Sequence, residues 1–134
     1  MSRIFATLAL ATVIGIATES FATEPMNAVQ VTGLIRTDLP GVPWQETRVY
    51  VMELAPGATT TNHHQLGHSF VYVLDGTTRL VQPGRPPVVF SAGHAFHEPR
   101  QPHYSFENPS RTQPAKVVVF AVLPNDSPYW TQPM

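Results

Sequence analysis

The sequence predicts an all-β fold, a sandwich or barrel of eight or nine short strands. Three observations carry this. Fourteen prolines and eight glycines are spread through 134 residues, and each proline removes a backbone donor and blocks a helix interior. Beyond the N-terminal segment no stretch sustains a 3.6-residue apolar period. Short runs rich in Val, Thr, Phe and Tyr recur instead, with Gly, Pro or Asp turn signals at intervals of roughly 8–12 residues.

The chain opens with one positive charge at Arg3, an uncharged apolar run from Ile4 to Ala17, and then Ser20-Phe21-Ala22. This is the order of a secretory signal, with cleavage expected after Ala22. The apolar run falls short of the ~20 residues a bilayer span needs, so no stable membrane insertion is expected after cleavage. Residues 1–22 are therefore read as a signal peptide, and the mature protein as periplasmic or secreted. Thr23 to Ala28 forms a leader. Val29 to Arg36 can form a first strand, broken at Gly33, and Leu39-Pro40-Gly41-Val42-Pro43 a loop.

From Gln45 to Leu54, Thr47, Val49, Val51 and Glu53 share one face and Arg48, Tyr50, Met52 and Leu54 the other. Both faces hold apolar residues, as in a strand packed on two sides. Ala55-Pro56-Gly57 turns the chain into a stretch holding His63, His64 and His68, half of the six histidines. An apolar strand from Phe70 to Leu74 follows and stops at Asp75-Gly76, a hairpin signal that makes Thr77–Gln82 the return strand. Val88–Ser91, His94–Glu98, His103–Glu107 and the very apolar Lys116–Leu123 complete the set, and Pro128–Met134 is an extended tail.

Composition excludes several classes. Net charge is −1 with no basic run, so neither nucleic acid nor an anionic membrane surface is an expected partner. Cysteine is absent, so the core has to hold the exported domain together without disulfides. No Ser-His-Asp order, phosphate-cradling Gly loop or carboxylate pair stands out. Phe70, Tyr72, Phe96, Phe106 and Phe120 are expected to line or back a cavity with mostly apolar walls, as in a small-molecule site. Arg48, Arg79 and Arg100 could orient an anion, with a solvated surface charge the better reading for Arg79 and Arg100.

Gly57, His63 and Gly76 resemble in spacing the first signature of the cupin superfamily: Gly, five residues, His-x-His, three or four residues, Glu, six residues, Gly. Gln65 stands where the second His belongs and Ser69 where the Glu belongs. Gly93, Pro99, His103 and Asn108 loosely follow the second signature, with Gln101 replacing a Gly, one residue missing before the His and one extra after it. The resemblance implies a double-stranded β-helix, or jelly-roll barrel, over residues 29–124, with 125–134 as the tail.

It also implies a divalent-metal site, degenerate here, with His63, Gln65, His68 and His103 as candidate ligands and Zn, Fe, Mn, Ni or Cu as candidate ions. In a regular strand His63, Gln65 and Ser69 share one side; a bulge at Leu66-Gly67 would turn His68 inward instead. Glu98 is a substitute carboxylate if it faces inward. A small organic ligand or substrate and a homodimer paired through outer sheet faces complete what the resemblance implies. If the protein is an enzyme, oxygenase- or isomerase-like chemistry is implied; a non-catalytic, metal-free small-ligand-binding or dimeric interaction cupin is the alternative.

Overall fold

The computed structural model describes residues 28–60, 66–100 and 104–127. The expected signal peptide, the expected tail from Pro128, and His63, His64, Gln65 and His103 lie outside the described residues. Eight strands are present: β1 Val29–Asp38, β2 Gln45–Leu54, β3 His68–Asp75, β4 Thr77–Val81, β5 Val88–Ser91, β6 Ala95–Glu98, β7 Ser105–Glu107 and β8 Ala115–Pro124. They form a five-stranded sheet, β1-β2-β8-β3-β6, and a three-stranded sheet, β5-β4-β7. This is the expected all-β jelly roll. Sequence reading located β2 and β5 to the residue, because Pro or Gly marks their ends closely.

Two expectations are corrected. Gly33 does not break β1; the strand runs on through a bulge at Leu34, which leaves Leu34 and Ile35 both exposed. Asp75-Gly76 is not a hairpin. β3 pairs with β8 and β6, whereas β4 pairs with β5 and β7 in the other sheet. Gly76 turns the chain from one sheet to the other at φ +75°, where a Cβ would stand 2.5 Å from the Pro114 carbonyl oxygen. Asp75-Gly76 does turn the chain, but which strand follows as partner is a non-local choice.

The core fills the space between the sheets. Leu54, Val73, Val117, Val119 and Phe106 are almost completely buried. Phe96 of the larger sheet stacks on Phe90 at 4.1 Å and tilts against Phe106 at 5.7 Å, both on the smaller sheet. These aromatic contacts fasten the sheets together on the side where β6 ends the larger one. Asn108 locks the opposite corner. Its Nδ2 donates to the carbonyls of Leu54, Ala55 and Gln113, and its Oδ1 accepts from the Ser110 N–H. The second-signature Asn is thus a structural clamp on the loop after β7.

Candidate ligand site at the polar end of the barrel

Strand register sorts the inner face of the larger sheet into rows. One row runs Tyr50–Val119–Val71–Phe96, and it is apolar apart from the tyrosine hydroxyl. The next row runs Arg48–Ala121–Ser69–Glu98. All four of its side chains are buried. The small Ala121 and Ser69 stand in this row between the longer Arg48 and Glu98. Neighbouring strands are about 4.8 Å apart, so the row spans roughly 14 Å from Arg48 to Glu98.

The direction in which β3 enters this row depends on Gly67. A Cβ there would stand 1.9 Å from the Val122 carbonyl oxygen, so the chain reaches β8 at a distance no side chain permits. The pairing is regular from His68 to Val73, its one irregularity coming later, between Val73 and Asp75, so Ser69 is reached without a bulge. Ser69 consequently faces inward and is buried, while His68 faces outward and is exposed. The structure therefore decides the alternative posed by the histidine stretch: Gly67 allows close approach of two backbones rather than an inward turn of His68.

Ser69 Oγ has no hydrogen-bond partner among the described residues. A buried hydroxyl left in that state costs about 1–3 kcal/mol, unless a ligand or water satisfies it. Its cross-strand partner is Glu98, which faces inward and is 5% exposed. The carboxylate absent from position 69 is thus supplied one strand away. Directly opposed side chains have Cβ atoms about 5 Å apart, so both can touch one small ligand.

Tyr104 is the residue that sequence reading missed. It is completely buried and precedes β7, with Phe106 and Asn108 also inward by strand alternation. Counting the second signature without a gap places Tyr104, rather than His103, at the histidine position and restores the three-residue spacing to Asn108. That ungapped count was the available signal.

At the outer end of the row, Glu46 is buried beside Arg48 and accepts hydrogen bonds from Arg48 and from Arg36 Nε at 2.8 Å. Burial pushes the Glu46 carboxyl up, but the hydrogen bonds and charges of the two guanidinium groups outweigh it and hold the group below the usual carboxylate range. Arg48 is therefore a charge-compensated wall of the site. Arg79 donates twice to Glu107, at 2.8 and 2.6 Å, across β4 and β7, and Arg100 is exposed. His94 sits in the turn after β5, its Nδ1 accepting from the Ser91 N–H at 3.1 Å. His97 lies on the edge strand β6 and faces outward.

The aromatic expectation is half corrected. Phe96 and Phe106 back the interior, but Phe70, Tyr72 and Phe120 project from the outer face of the larger sheet. Strand alternation settles this once Ser69 is known to point inward. Among the described residues no three His, Asp or Glu side chains stand together as a metal-binding group.

The model of the cupin domain family matches residues 50–121. Among solved structures, the chain is similar to the polyketide cyclase RemF from Streptomyces resistomycificus, at 23% identity and TM-score 0.57, covering 77% of this chain and 75% of that one. It is also similar to the Clostridium difficile EutQ protein, at 21% identity and TM-score 0.56, covering 74% and 70%. A cupin superfamily protein from Desulfitobacterium hafniense matches at 11% identity and TM-score 0.59, covering 72% and 79%. These likenesses establish the fold; the functions named among them differ. No curated protein matches the chain.

Proposed function

The chain belongs to the cupin domain family, and on that premise we propose that it is an exported cupin that binds a small polar organic molecule at the hydroxyl- and carboxylate-bearing end of its barrel. The observation that carries this reading is the inward pair Ser69 and Glu98, in register on adjacent strands, with the serine hydroxyl lacking a partner among the described residues. Tyr104, fully buried, adds a second hydroxyl at a position where the family signature has a histidine. Hydroxyls and a carboxylate against an apolar floor of Val71, Val119 and Phe96 suit a ligand with hydrogen-bond donors and a hydrocarbon body. Export follows from the N-terminal signal pattern, and intact-mass measurement of the secreted form should show a chain starting at Thr23.

A divalent-metal reading is kept because one observation favours it, the inward Glu98 carboxylate. The residues that would hold the ion are His63, Gln65, His103 and Glu98; His68, facing outward, is not among them. The donor set fits such an ion only through Glu98 and the histidines, since Ser69 and Tyr104 offer neutral hydroxyls in place of stronger ligands. When bound, the metal would supply Lewis acidity and open coordination positions. Glu98 would then balance part of its charge.

One experiment tests both readings. Untagged protein purified from its exported compartment is analysed for metals, and Glu98→Gln is measured beside it. The small-ligand reading expects no stoichiometric metal, and expects Glu98→Gln to weaken binding of polar fragments detected by NMR shifts of Tyr104 and Phe96. Stoichiometric metal that falls sharply in Glu98→Gln and in His63→Ala would establish the metal site instead. Pairing of two copies through the side of the larger sheet that carries the exposed Leu34 and Ile35 and the half-buried Val49 is part of the proposal, and light scattering at tens of micromolar should give a dimer mass.

A further inference from the structure

The outer face of the larger sheet carries a cluster that the barrel interior does not use. Phe70 pairs with His97 and Ser69 with Glu98 in the β3–β6 register, so His68 and His97 are diagonal neighbours on the same outward side. Their rings lie 5.2 Å apart with planes 13° from parallel, and His68 Nδ1 stands 3.0 Å from His97 Nε2. Phe70 stacks on the His97 ring at 4.9 Å and 18°. Phe120 tilts against Phe70 from the other side at 6.3 Å. Both imidazoles are exposed, yet stacking limits the ring orientations that His97 can sample.

We propose that His68 and His97 form a two-imidazole site for a late first-row divalent cation, copper(II) foremost. The separation of the two nitrogens is that of a chelate, and the rings turn off the direct N–H···N line to bring both lone pairs onto one ion. A metal–imidazole bond is about 2.05 Å, so two nitrogens at right angles on one ion are about 2.9 Å apart and two at the tetrahedral angle about 3.3 Å. The observed 3.0 Å separation lies between these values. In the free protein one ring N–H donates to the other ring's lone pair. A cation takes the place of that shared proton, and the donating ring adopts its other tautomer, with its remaining N–H toward solvent.

Donor chemistry sets the selectivity. Imidazole nitrogens favour Cu(II), with Ni(II) and Zn(II) weaker, and no carboxylate completes a three-ligand group among the described residues. Mg²⁺ and Ca²⁺ need oxygen ligands and are not bound. Arg100 lines the same shallow depression as His68, and its charge favours an anion or water in the ion's remaining coordination positions. The site stands apart from the barrel reading, since Ser69 and Glu98 face the opposite side of the same two strands.

The test uses the untagged mature chain, titrated with copper(II) and followed by calorimetry and by NMR of the aromatic rings. His68→Ala and His97→Ala are each expected to lose at least tenfold in affinity. The double variant is expected to lose less than the two single losses combined, because each single variant already removes the chelate. Both positions are exposed, so the variants should fold. Below one equivalent, copper should broaden the Phe70 and Phe120 ring signals in wild type and leave them sharp in His97→Ala. Unchanged affinity in either single variant would overturn the proposal. So would broadening confined to Phe96 and Phe106, which would put the ion inside the barrel.

Discussion

The two ends of the barrel interior are built from the same strands and do opposite work. At one end Met52 and Leu54 of β2, Val73 of β3 and Ala115 and Val117 of β8 pack into a closed apolar plug, capped by the four hydrogen bonds of Asn108. At the other end β2 contributes Glu46 and Arg48, β3 contributes Ser69 and β6 contributes Glu98. The plug has its buried polar groups satisfied and its apolar area removed from water, which is the condition for stability. The polar end holds a buried hydroxyl without a partner among the described residues beside the buried Glu98 carboxylate. Such an arrangement is poor for stability and useful for recognition. Stability is therefore expected to concentrate where the strands meet the Asn108 clamp rather than around Ser69.

If this contrast is right, the largest loss should come from the plug. Leu54, fully buried, changed to Ala should cost about 3 kcal/mol in urea unfolding. A loss under about 1 kcal/mol would mean that the plug is not the source of stability.

An intermediate effect is expected at the rim of the polar end. Arg48→Ala leaves Glu46 buried with Arg36 as its remaining guanidinium partner, and should cost about 2 kcal/mol, since part of the ion pair survives. The same pair sets a pH dependence. Glu46 has its folded pKa depressed by the two arginines, so its contribution is fully present above its unfolded pKa of about 4.3. That contribution is lost as pH falls through the folded value. Urea midpoints compared at neutral and acidic pH should show a smaller acid loss in Glu46→Gln than in wild type; an equal loss would assign the acid limb to other carboxylates.

The smallest effect sharpens the comparison most. Ser69→Ala removes a hydroxyl that finds no partner among the described residues, so stability should change by about 0.5 kcal/mol or less, or rise slightly. Fragment binding at Tyr104 and Phe96 should weaken in the same variant. A stability loss comparable to that of Leu54→Ala would make Ser69 part of the structural core, and the contrast between the two ends would fail.

Local chemistry was sufficient for the strands. Alternation along Gln45–Leu54, the unbroken apolar run near Lys116–Leu123 and the Pro and Gly punctuation between strands each express a constraint acting within a few residues, and the sequence by itself determined them along with the all-β class. The family signatures added the jelly roll and pointed to Ser69 and Asn108 as special positions. Tertiary structure alone decided the partners. Asp75-Gly76 looks like a hairpin turn, but the choice between folding back and crossing to the other sheet rests on distant strands β5 and β7. Whether His68 or Ser69 faced inward depended on a backbone approach between Gly67 and Val122, far apart in the chain. That one contact sends Ser69 to Glu98 in the interior and His68 to His97 outside. Side-chain alternation has period two, so the sequence offered both arrangements equally, and only the register with β8 and β6 could choose between them.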